Sequence, residues 1–354
     1  MNKKRVLISA VVVTVMIGLV YLQVREWQKF DWSRFWSQTG NVRWLDIASA
    51  IALIYATYLP RALRWKIFLR PVCRTTARRL MAPTIIGFTG LALLGRPGEL
   101  MRPYLIGRRT GLSMSTQMAV WTVERIFDTG AFAVLVGVSL VASPSLRDLP
   151  YFDRFRHAGF VLVALVVGMT VFAIAVQRNS RGIAAWVERV LGKAAPNAGR
   201  RLAHKLDAFG EGLNTIHDAA SFAQVVALSL LIWVLIALAY RQITHAYPVP
   251  LEELSISHVI LLMGFSIVGS TVQLPVVGGG AQLASIAALL HVFAIPHELA
   301  VSAGIMLWLV TFIAVTPVGL ALAHREHMSL AKVTRESIQE EAAEMEASDA
   351  EPGQ

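Results

Sequence analysis

Long apolar runs recur along this chain, and they constrain its fold more than any other feature of the sequence. A helix needs about 20 residues to cross the hydrocarbon core of a bilayer, where only helices and closed barrels satisfy every backbone polar group. Only 16% of the residues are charged, whereas soluble proteins carry about 25%. We therefore predict an all-α polytopic membrane protein with about eight transmembrane helices. The predicted spans are residues 6–24, 45–59, 117–140, 158–176, 222–239, 256–274, 281–295 and 299–322.

The distribution of positive charge predicts the orientation of the chain. Lys3, Lys4 and Arg5 precede the first apolar run, and cytoplasmic segments are enriched in such cations. The second run leads into a stretch of cations without any acid, which we interpret as a cytoplasmic loop. Its cations are Arg61, Arg64, Lys66, Arg70, Arg74, Arg78 and Arg79. We expect a multi-pass protein of the bacterial inner (plasma) membrane with its N-terminus in the cytoplasm.

Two polar segments are assigned to the cytoplasmic side. Residues 177–221 combine cations with apolar side chains at helical spacing, so we predict a basic amphipathic loop within the membrane domain. Residues 324–354 carry seven acids after Arg335 and no further Lys or Arg. We expect this acidic tail to be disordered, because its apolar pattern is too weak to bury a face. The membrane domain itself is assigned to residues 1–323.

Each half of the chain contains a short apolar segment broken by glycine and proline. Residues 81–94 are too few to span comfortably, and we predict a re-entrant hairpin over residues 81–106. Paired breaks of this kind indicate a transporter binding site between pseudo-repeated halves. Residues 281–295, after the second break, could cross the membrane or re-enter it. We favour crossing, because it returns Arg325, Lys332 and Arg335 to the cytoplasm. The break residues are Gly95, Arg96, Pro97 and Gly98 in the first half, and Pro275, Gly278, Gly279 and Gly280, flanked by Gln273 and Gln282, in the second.

Ionisable residues cluster around the first break and on the next long apolar run. Charged groups at membrane depth are costly, and they usually face a cavity or a partner. On a helix, Glu124 and Asp128 share a face, and Arg125 lies within reach of Asp128. Two carboxylates in a medium of low dielectric constant recruit cations or retain a proton, and the available cations are Arg96, Arg102 and Arg125. The candidate substrate-binding residues are Arg96, Gly98, Glu99, Arg102, Glu124, Arg125 and Asp128.

Two interpretations of these charges compete. In one, ion pairs lock the predicted hairpin against the next span and touch no ligand. In the other, an arginine in a cavity binds a lipid phosphate, to which a planar guanidinium is well matched, and the acids exchange partners as the lipid binds. We favour the second, because intramembrane charges are costly to keep for scaffolding alone. For Gln273 and Gln282, hydrogen bonding to a head group and packing between helices are equally open.

The sequence carries no pattern for a metal site, a cofactor or an enzyme active site. Cys73 is the only cysteine, which excludes a disulfide within the chain and a cysteine-based metal site. The nine histidines show no zinc-binding spacing. A phosphate-binding Gly-x-x-x-x-Gly-Lys-Ser/Thr loop and a Gly-x-Ser-x-Gly elbow are both absent. We therefore predict no metal, no cofactor and no enzymatic activity.

The charged motifs resemble those of a known membrane family. They are Arg96-x-Gly98-Glu99-x-x-Arg102, the following Gly111, and Glu124-Arg125-x-x-Asp128. With them the chain is similar, over residues 6–322, to the flippase-like family typified by the transmembrane domain of lysylphosphatidylglycerol synthase. That family also tends to carry Pro-Gly-Gly-x-Gly-x-x-Glu in its second half, and here Pro275 and Gly278 to Gln282 occupy the region without that glutamate. We expect no synthase, because little sequence follows the last span.

The resemblance implies translocation of a lipid, or help with it. Our leading hypothesis is a lipid transporter or flippase for a polar-headed, phosphate-bearing lipid, with anionic membrane lipids and not nucleic acid as partners. The alternative is a non-transporting accessory or scaffold subunit for a lipid-modifying or envelope-biosynthesis enzyme, which would dock on the acidic tail and basic loops. An intramembrane enzyme ranks last, since no nucleophile or metal site accompanies the carboxylates. Assembly into a homo-oligomer, or with a lipid-biosynthesis enzyme, stays open.

Overall fold

The computed structural model describes residues 31–164, 218–271 and 279–326, together with 166–168, 171, 182, 189, 330, 333–340 and 343. These residues form helices joined by turns, and none of them lies in a strand. The predicted all-α class is therefore confirmed for this part of the chain. The predicted first span, most of the predicted loop 177–221, and Gln273, Pro275 and Gly278 of the second break lie outside the described residues.

The helices are numbered in chain order. The first half contains α1 (Trp32–Gly40), α2 (Trp44–Ala56), α3 (Tyr58–Leu69), α4 (Ala77–Leu94), a 3-10 turn (Arg96–Leu100), α5 (Met101–Thr110), α6 (Met114–Ala142), a second 3-10 turn (Pro144–Leu146) and α7 (152–164). The second half contains α8 (Ala219–His245), α9 (Ile256–Gly269), α10 (Gly279–His291), α11 (His297–Trp308), a π-helical turn (Leu309–Ile313), α12 (Thr316–Arg325) and α13 (333–340).

Three helical segments are long and apolar enough to cross a membrane: α6, α8 and the stretch from α11 to α12. They contain 29, 27 and 29 residues and are therefore about 40 Å long. The predicted spans 117–140, 222–239 and 299–322 fall within them. A fourth candidate consists of α1 and the segment Trp44–Leu69, which contains α2 and α3. These two parts are bent by 75° relative to each other, and they count as a candidate only if they are taken as one span. The described residues thus hold three or four candidate spans, and the total of about eight stays a prediction.

Local sequence explains where the long helices begin. The Ser113 side chain precedes α6 and accepts a hydrogen bond from the N–H of Thr116. The Asp218 carboxylate precedes α8 and accepts hydrogen bonds from the backbone N–H and the hydroxyl of Ser221, at 2.7 and 2.8 Å. Such side chains satisfy the N–H groups that have no partner within the helix. The same hydrogen bonds lower the pKa of Asp218.

The course of α3 shows that the predicted cytoplasmic loop after the second span is wrong in its first part. Arg61, Arg64 and Lys66 lie within this helix, which continues to Leu69. The loop prediction counted cations and overlooked the apolar side chains between them, which recur at helical spacing. Those buried apolar side chains are Ala62, Trp65, Phe68 and Leu69. Arg64 is buried as well, in spite of its charge.

The segment from α4 through the 3-10 turn to α5 forms an antiparallel hairpin, called hairpin 1, where the sequence predicted one. Gly95 ends α4 with a φ of 70°, a conformation that glycine adopts without strain. Beyond it, Gly98 packs against Gly90, and Arg102 packs against Gly87. A Cβ atom on Gly98 or Gly87 would overlap the facing residue. The order of these contacts shows that the chain reverses direction.

Another antiparallel hairpin, called hairpin 2, is formed by α9 and α10, and Gly279 and Gly280 of the second predicted break lie at the start of α10. Gly269 lies so close to Gly280 that a Cβ atom on Gly269 would overlap the Gly280 carbonyl group. At the open end, the rings of His258 and Phe293 lie 5.9 Å apart. Gly279 begins α10 with a φ of 60°. Whether the two halves are a repeat, and whether residues 281–295 cross the membrane, stay predictions.

The two hairpins pack around a common set of helices. Hairpin 1 lies against α3, α6 and α12, and hairpin 2 lies against α6, α8 and α11. The largest apolar core lies between α2, α8, hairpin 2 and α11. Because α6 touches both hairpins and α8 touches α2, α3, α6 and α9, these two long helices form the centre of the described structure.

Helix α13 lies in the acidic tail, for which the sequence predicted disorder. Val333, Thr334 and Ser337 are buried, and the Tyr104 hydroxyl donates a hydrogen bond of 2.9 Å to Glu336. This part of the tail is therefore helical and packs on hairpin 1. Most of the remaining tail lies outside the described residues, and the boundary at residue 323 stays a prediction.

The glycines at the two hairpin tips should not tolerate a side chain. We expect Gly98→Ala and Gly269→Ala each to lower the free energy of unfolding by about 1–3 kcal/mol, the usual cost of overpacking. Gly137→Ala in α6 is the matched control, because a Cβ atom there meets nothing within 4 Å and alanine favours helix. Thermal unfolding in detergent, followed by tryptophan fluorescence, measures the three Tm values. Equal Tm values would contradict the hairpin packing.

Candidate functional site

Arg64 is the centre of a buried group of ion pairs. It lies on α3, and the exposed fraction of its side chain is 0%. Its Nη1 donates hydrogen bonds to Asp128 Oδ1 at 2.5 Å and to Ser229 Oγ at 2.8 Å, and its Nη2 donates to Glu124 Oε1 at 2.6 Å. Arg64 therefore ties α3 to α6 and to α8.

Two more arginines bind the same carboxylates. Arg102 of α5 is buried and contacts both oxygens of Glu124: its Nη1 lies 3.1 Å from Oε1, and its Nη2 donates to Oε2. The Nη2 of Arg125 lies 3.0 Å from Asp128 Oδ2, and the Arg125 side chain is 42% exposed. These five residues, called the ion-pair cluster, join hairpin 1 to α3 and α6. They are Arg64, Arg102, Glu124, Arg125 and Asp128.

Local sequence brings these groups to one place. Glu124 and Asp128 are four residues apart on α6 and share a face, as the sequence predicted. Arg102 begins the second arm of hairpin 1, where the facing glycine of α4 allows close approach. The Arg102 guanidinium also lies over the rings of Trp65 and Phe88, at 5.1 and 5.3 Å from their centroids. Cations are attracted to aromatic faces at such distances.

The two carboxylates of the ion-pair cluster are fully paired. Both oxygens of Glu124 and both oxygens of Asp128 contact arginine nitrogens. Buried charges persist when partners and hydrogen bonds are complete, and removing one partner then leaves an uncompensated charge. Two interpretations of these residues were given above: ion pairs that hold hairpin 1 in place, and an arginine that binds a lipid phosphate. The first fits this geometry directly. A ligand that bound Glu124 or Asp128 would first have to displace an arginine.

A cavity lies between the two hairpins, next to the ion-pair cluster. This central cavity has a volume of about 150 Å³. Phe88 and Leu91 line it from hairpin 1, and Ser266 and Ile267 line it from hairpin 2. Among the described residues, its wall is apolar except for hydroxyl groups, the indole of Trp233 and one charged side chain, Arg61. The other lining residues are Ile54, Thr57, Tyr58, Trp233, Ile236, Tyr240, Met263, Ser270, Thr311, Phe312 and Val315.

A side cavity of about 40 Å³ opens against the ion-pair cluster. Its lining includes Glu99, Arg102 and Arg125, together with Phe88 and Leu91, which also line the central cavity. Phe88 and Leu91 therefore separate the two cavities. The guanidinium carbons of two arginines face the Phe88 ring, Arg61 at 4.6 Å and Arg102 at 5.3 Å.

The surroundings favour an anion over a metal ion. Within the described ranges, no group of three or more His, Cys, Asp or Glu side chains could hold a metal. Glu124 and Asp128 are already neutralised by arginines, and the guanidinium groups around them repel a further cation. An anion that entered the central cavity would meet the positive charge of Arg61. It would not have to displace a carboxylate, because none of the described ones pairs with Arg61.

Five of the predicted site residues lie together around the ion-pair cluster and the side cavity: Glu99, Arg102, Glu124, Arg125 and Asp128. Gly98, Gly279 and Gly280 belong to the hairpin tips instead. Gln282 is half-buried on α10 and lines neither cavity. The side chain of Arg96 lies outside what the structure describes. A role in lipid binding stays a prediction for all of them.

Sequence reasoning missed three residues of this region, Arg61, Arg64 and Ser229. The two arginines were assigned to a cytoplasmic loop because cations usually mark topology. Their spacing of three residues, within a helical apolar period that includes Trp65, was the available signal for an inward-facing position. Ser229 lies in a long apolar run, and nothing in that run marks it.

Comparison with known proteins finds one membrane family. Residues 6–319 match the family described as the lysylphosphatidylglycerol synthase TM region. Two relatives from Methanothermobacter thermautotrophicus, each called UPF0104 membrane protein, are 26% identical over 287 residues and 23% identical over 296 residues. Both alignments cover 78% of this chain, and they cover 82% and 83% of the relatives. No solved structure matches the chain.

The ion-pair cluster makes a prediction about stability. We expect Glu124→Gln to lower the free energy of unfolding by about 3–5 kcal/mol, because the amide leaves two buried guanidinium groups without a counter-charge. Asp153→Asn is the matched control, since Asp153 is 78% exposed and pairs with Arg156, and exposed pairs contribute about 1 kcal/mol or less. Unfolding by denaturant in detergent micelles measures both changes. A stable Glu124→Gln protein would contradict the lock.

Proposed function

This chain belongs to the family of the lysylphosphatidylglycerol synthase transmembrane region, and from that premise we propose that it moves a polar-headed, phosphate-bearing lipid across the membrane, or presents it there. One observation carries the proposal: the central cavity is walled by both hairpins and adjoins the ion-pair cluster. Hairpin tips are tolerated inside a bilayer where they line a cavity or contact protein. Broken segments that face a shared cavity are typical of transporters.

The two cavities suggest a route for the head group. Arg125 is partly exposed and lines the side cavity together with Glu99. In the proposed route, the head group first meets these residues, then passes Phe88 and Leu91, and reaches the central cavity. The acyl chains stay outside the protein in the bilayer, as their apolar surface requires.

The two hairpins have different attachments, which suggests which one moves. Ion pairs fix hairpin 1 to α3 and α6 through Arg102 and Glu124. Hairpin 2 packs on α8 through apolar contacts and a hydrogen bond of 2.9 Å from the Tyr240 hydroxyl to Ser266. Moving hairpin 2 would separate no ion pair of the cluster. We therefore propose that hairpin 2 shifts relative to hairpin 1 when a lipid enters.

The scaffold alternative draws less support from the described residues. Glu326 pairs with Arg109, and Glu336 accepts a hydrogen bond from Tyr104, so this part of the acidic tail is engaged within the chain.

We propose that the transporter lies in the bacterial inner membrane with a cytoplasmic N-terminus, as the positive charges predict. Anionic lipids are its proposed partners.

Blocking the central cavity should stop lipid movement. Ile267 lines the cavity, whereas its neighbour Val268 on the same helix is 71% exposed. We expect Ile267→Trp to abolish movement, because the indole ring fills the cavity, and Val268→Trp to preserve it. The assay reconstitutes each protein into vesicles of phosphatidylethanolamine and phosphatidylglycerol with a fluorescent phosphatidylglycerol, and measures how much label becomes accessible to dithionite.

Melting temperature and size-exclusion profile establish that both tryptophan variants are folded. The proposal expects wild type and Val268→Trp to exceed protein-free vesicles, and Ile267→Trp to match them. Equal movement in both variants would remove the cavity from the pathway. Wild-type vesicles that behave like protein-free vesicles would refute transport itself.

A further inference from the structure

Arg61 is a half-buried cation that pairs with no carboxylate in the part of the chain that the structure describes. Its side chain lines the central cavity, and its Nε atom is buried without a hydrogen-bond partner. The ring of Phe88 covers the guanidinium, at 4.6 Å from the ring centroid. A cation–π contact offsets only part of the cost of burying a charge. The position therefore lacks a counter-ion.

The charges around the two cavities do not cancel. Among the described side chains of the ion-pair cluster and the two cavity walls, guanidinium groups outnumber carboxylates by one. The guanidinium groups belong to Arg61, Arg64, Arg102 and Arg125, and the carboxylates belong to Glu99, Glu124 and Asp128. A bound anion would reduce this excess of positive charge among the described side chains.

The wall of the central cavity offers a second hydrogen-bond donor. Ser266 accepts a hydrogen bond from Tyr240, which leaves its own O–H free to donate. No carboxylate lines the described wall to repel an anion. The volume of about 150 Å³ equals roughly ten water-sized spheres of about 15 Å³, which is enough for a phosphate and the adjoining atoms of a head group.

We propose that Arg61 is the anion-binding residue of the central cavity, and that its ligand is the singly charged phosphate diester of an anionic phospholipid. A guanidinium can hold two phosphate oxygens with parallel hydrogen bonds. A zwitterionic head group would add a cation to surroundings that already carry positive charge, so the cavity favours a lipid of net negative charge. This inference rests on the proposed function and names the lipid class that it serves.

A purely structural role for Arg61 makes a different prediction. Asp128 and Glu124 attract Arg61 at longer range, so the residue would then be a distant counter-charge for them. Its replacement would lower stability and leave lipid preference unchanged. Selectivity between lipids therefore separates the two roles.

The test measures lipid binding to the full chain in detergent by native mass spectrometry. The probes are phosphatidylglycerol, phosphatidylcholine and soluble glycerol phosphate. We expect Arg61→Gln to weaken phosphatidylglycerol binding by at least about tenfold, the loss expected for one charge-assisted hydrogen bond, and to leave phosphatidylcholine binding unchanged. Arg61→Lys keeps the charge but not the planar fork, so an intermediate loss is expected. Arg147→Gln removes a charge from an exposed position after α6 that lines neither the central cavity nor the side cavity and should change affinity less than twofold.

Each outcome decides the matter. Unchanged phosphatidylglycerol binding in Arg61→Gln, or an equal loss in Arg147→Gln, would overturn the inference. If Arg61→Gln does not fold, wild-type affinity in Arg61→Lys would overturn it as well. Arg61-dependent binding of glycerol phosphate alone would support the anion site and assign it to a soluble phosphate. This test measures binding, and the vesicle assay measures movement. A protein that does not transport lipid can still show Arg61-dependent binding, and a protein that transports lipid can lack it, so the two failures are distinguishable.

Discussion

The bond between Glu124 and its two buried arginines holds together parts of the chain that are far apart in sequence. Arg64 reaches it from α3 and Arg102 from α5, so hairpin 1 is fixed at the point where its second arm begins. In an apolar interior, three charges persist only while they satisfy one another. Arg102 also packs against Gly87 of the first arm and lines the side cavity.

The need to pair buried charges separates the charged residues into two groups. Glu124 and Asp128 are fully engaged and serve as structure. Arg125 reaches the surface, and Arg61 lines the central cavity, where none of the described carboxylates pairs with it. Glu124 and Asp128 hold the helices around the cavities, and Arg61 is the charge that we propose to bind a lipid. Phe88 stands between them, in contact with guanidinium groups on both sides.

Sequence predicts the elements of this fold better than their contacts. Apolar length located the long helices, and glycine with proline located hairpin 1, because both are local properties. The pairing of Glu124 with Arg102 was among the expected combinations. Arg64 was not, because the positive-inside rule assigns a cation near a span end to a loop, and only the packing of α3 against α6 and α8 reveals its inward face. Local sequence patterns do not predict contacts between segments that are far apart in the sequence.

A double-mutant cycle between Arg102 and Glu124 tests the central claim most directly. It compares the free energies of unfolding of Arg102→Met, Glu124→Leu and the double variant with that of the wild type. If the pair locks hairpin 1, the double variant should be less destabilised than the sum of the single variants by more than about 1 kcal/mol, since residues in contact couple. Additivity within about 0.5 kcal/mol, the behaviour of independent sites, would contradict the account.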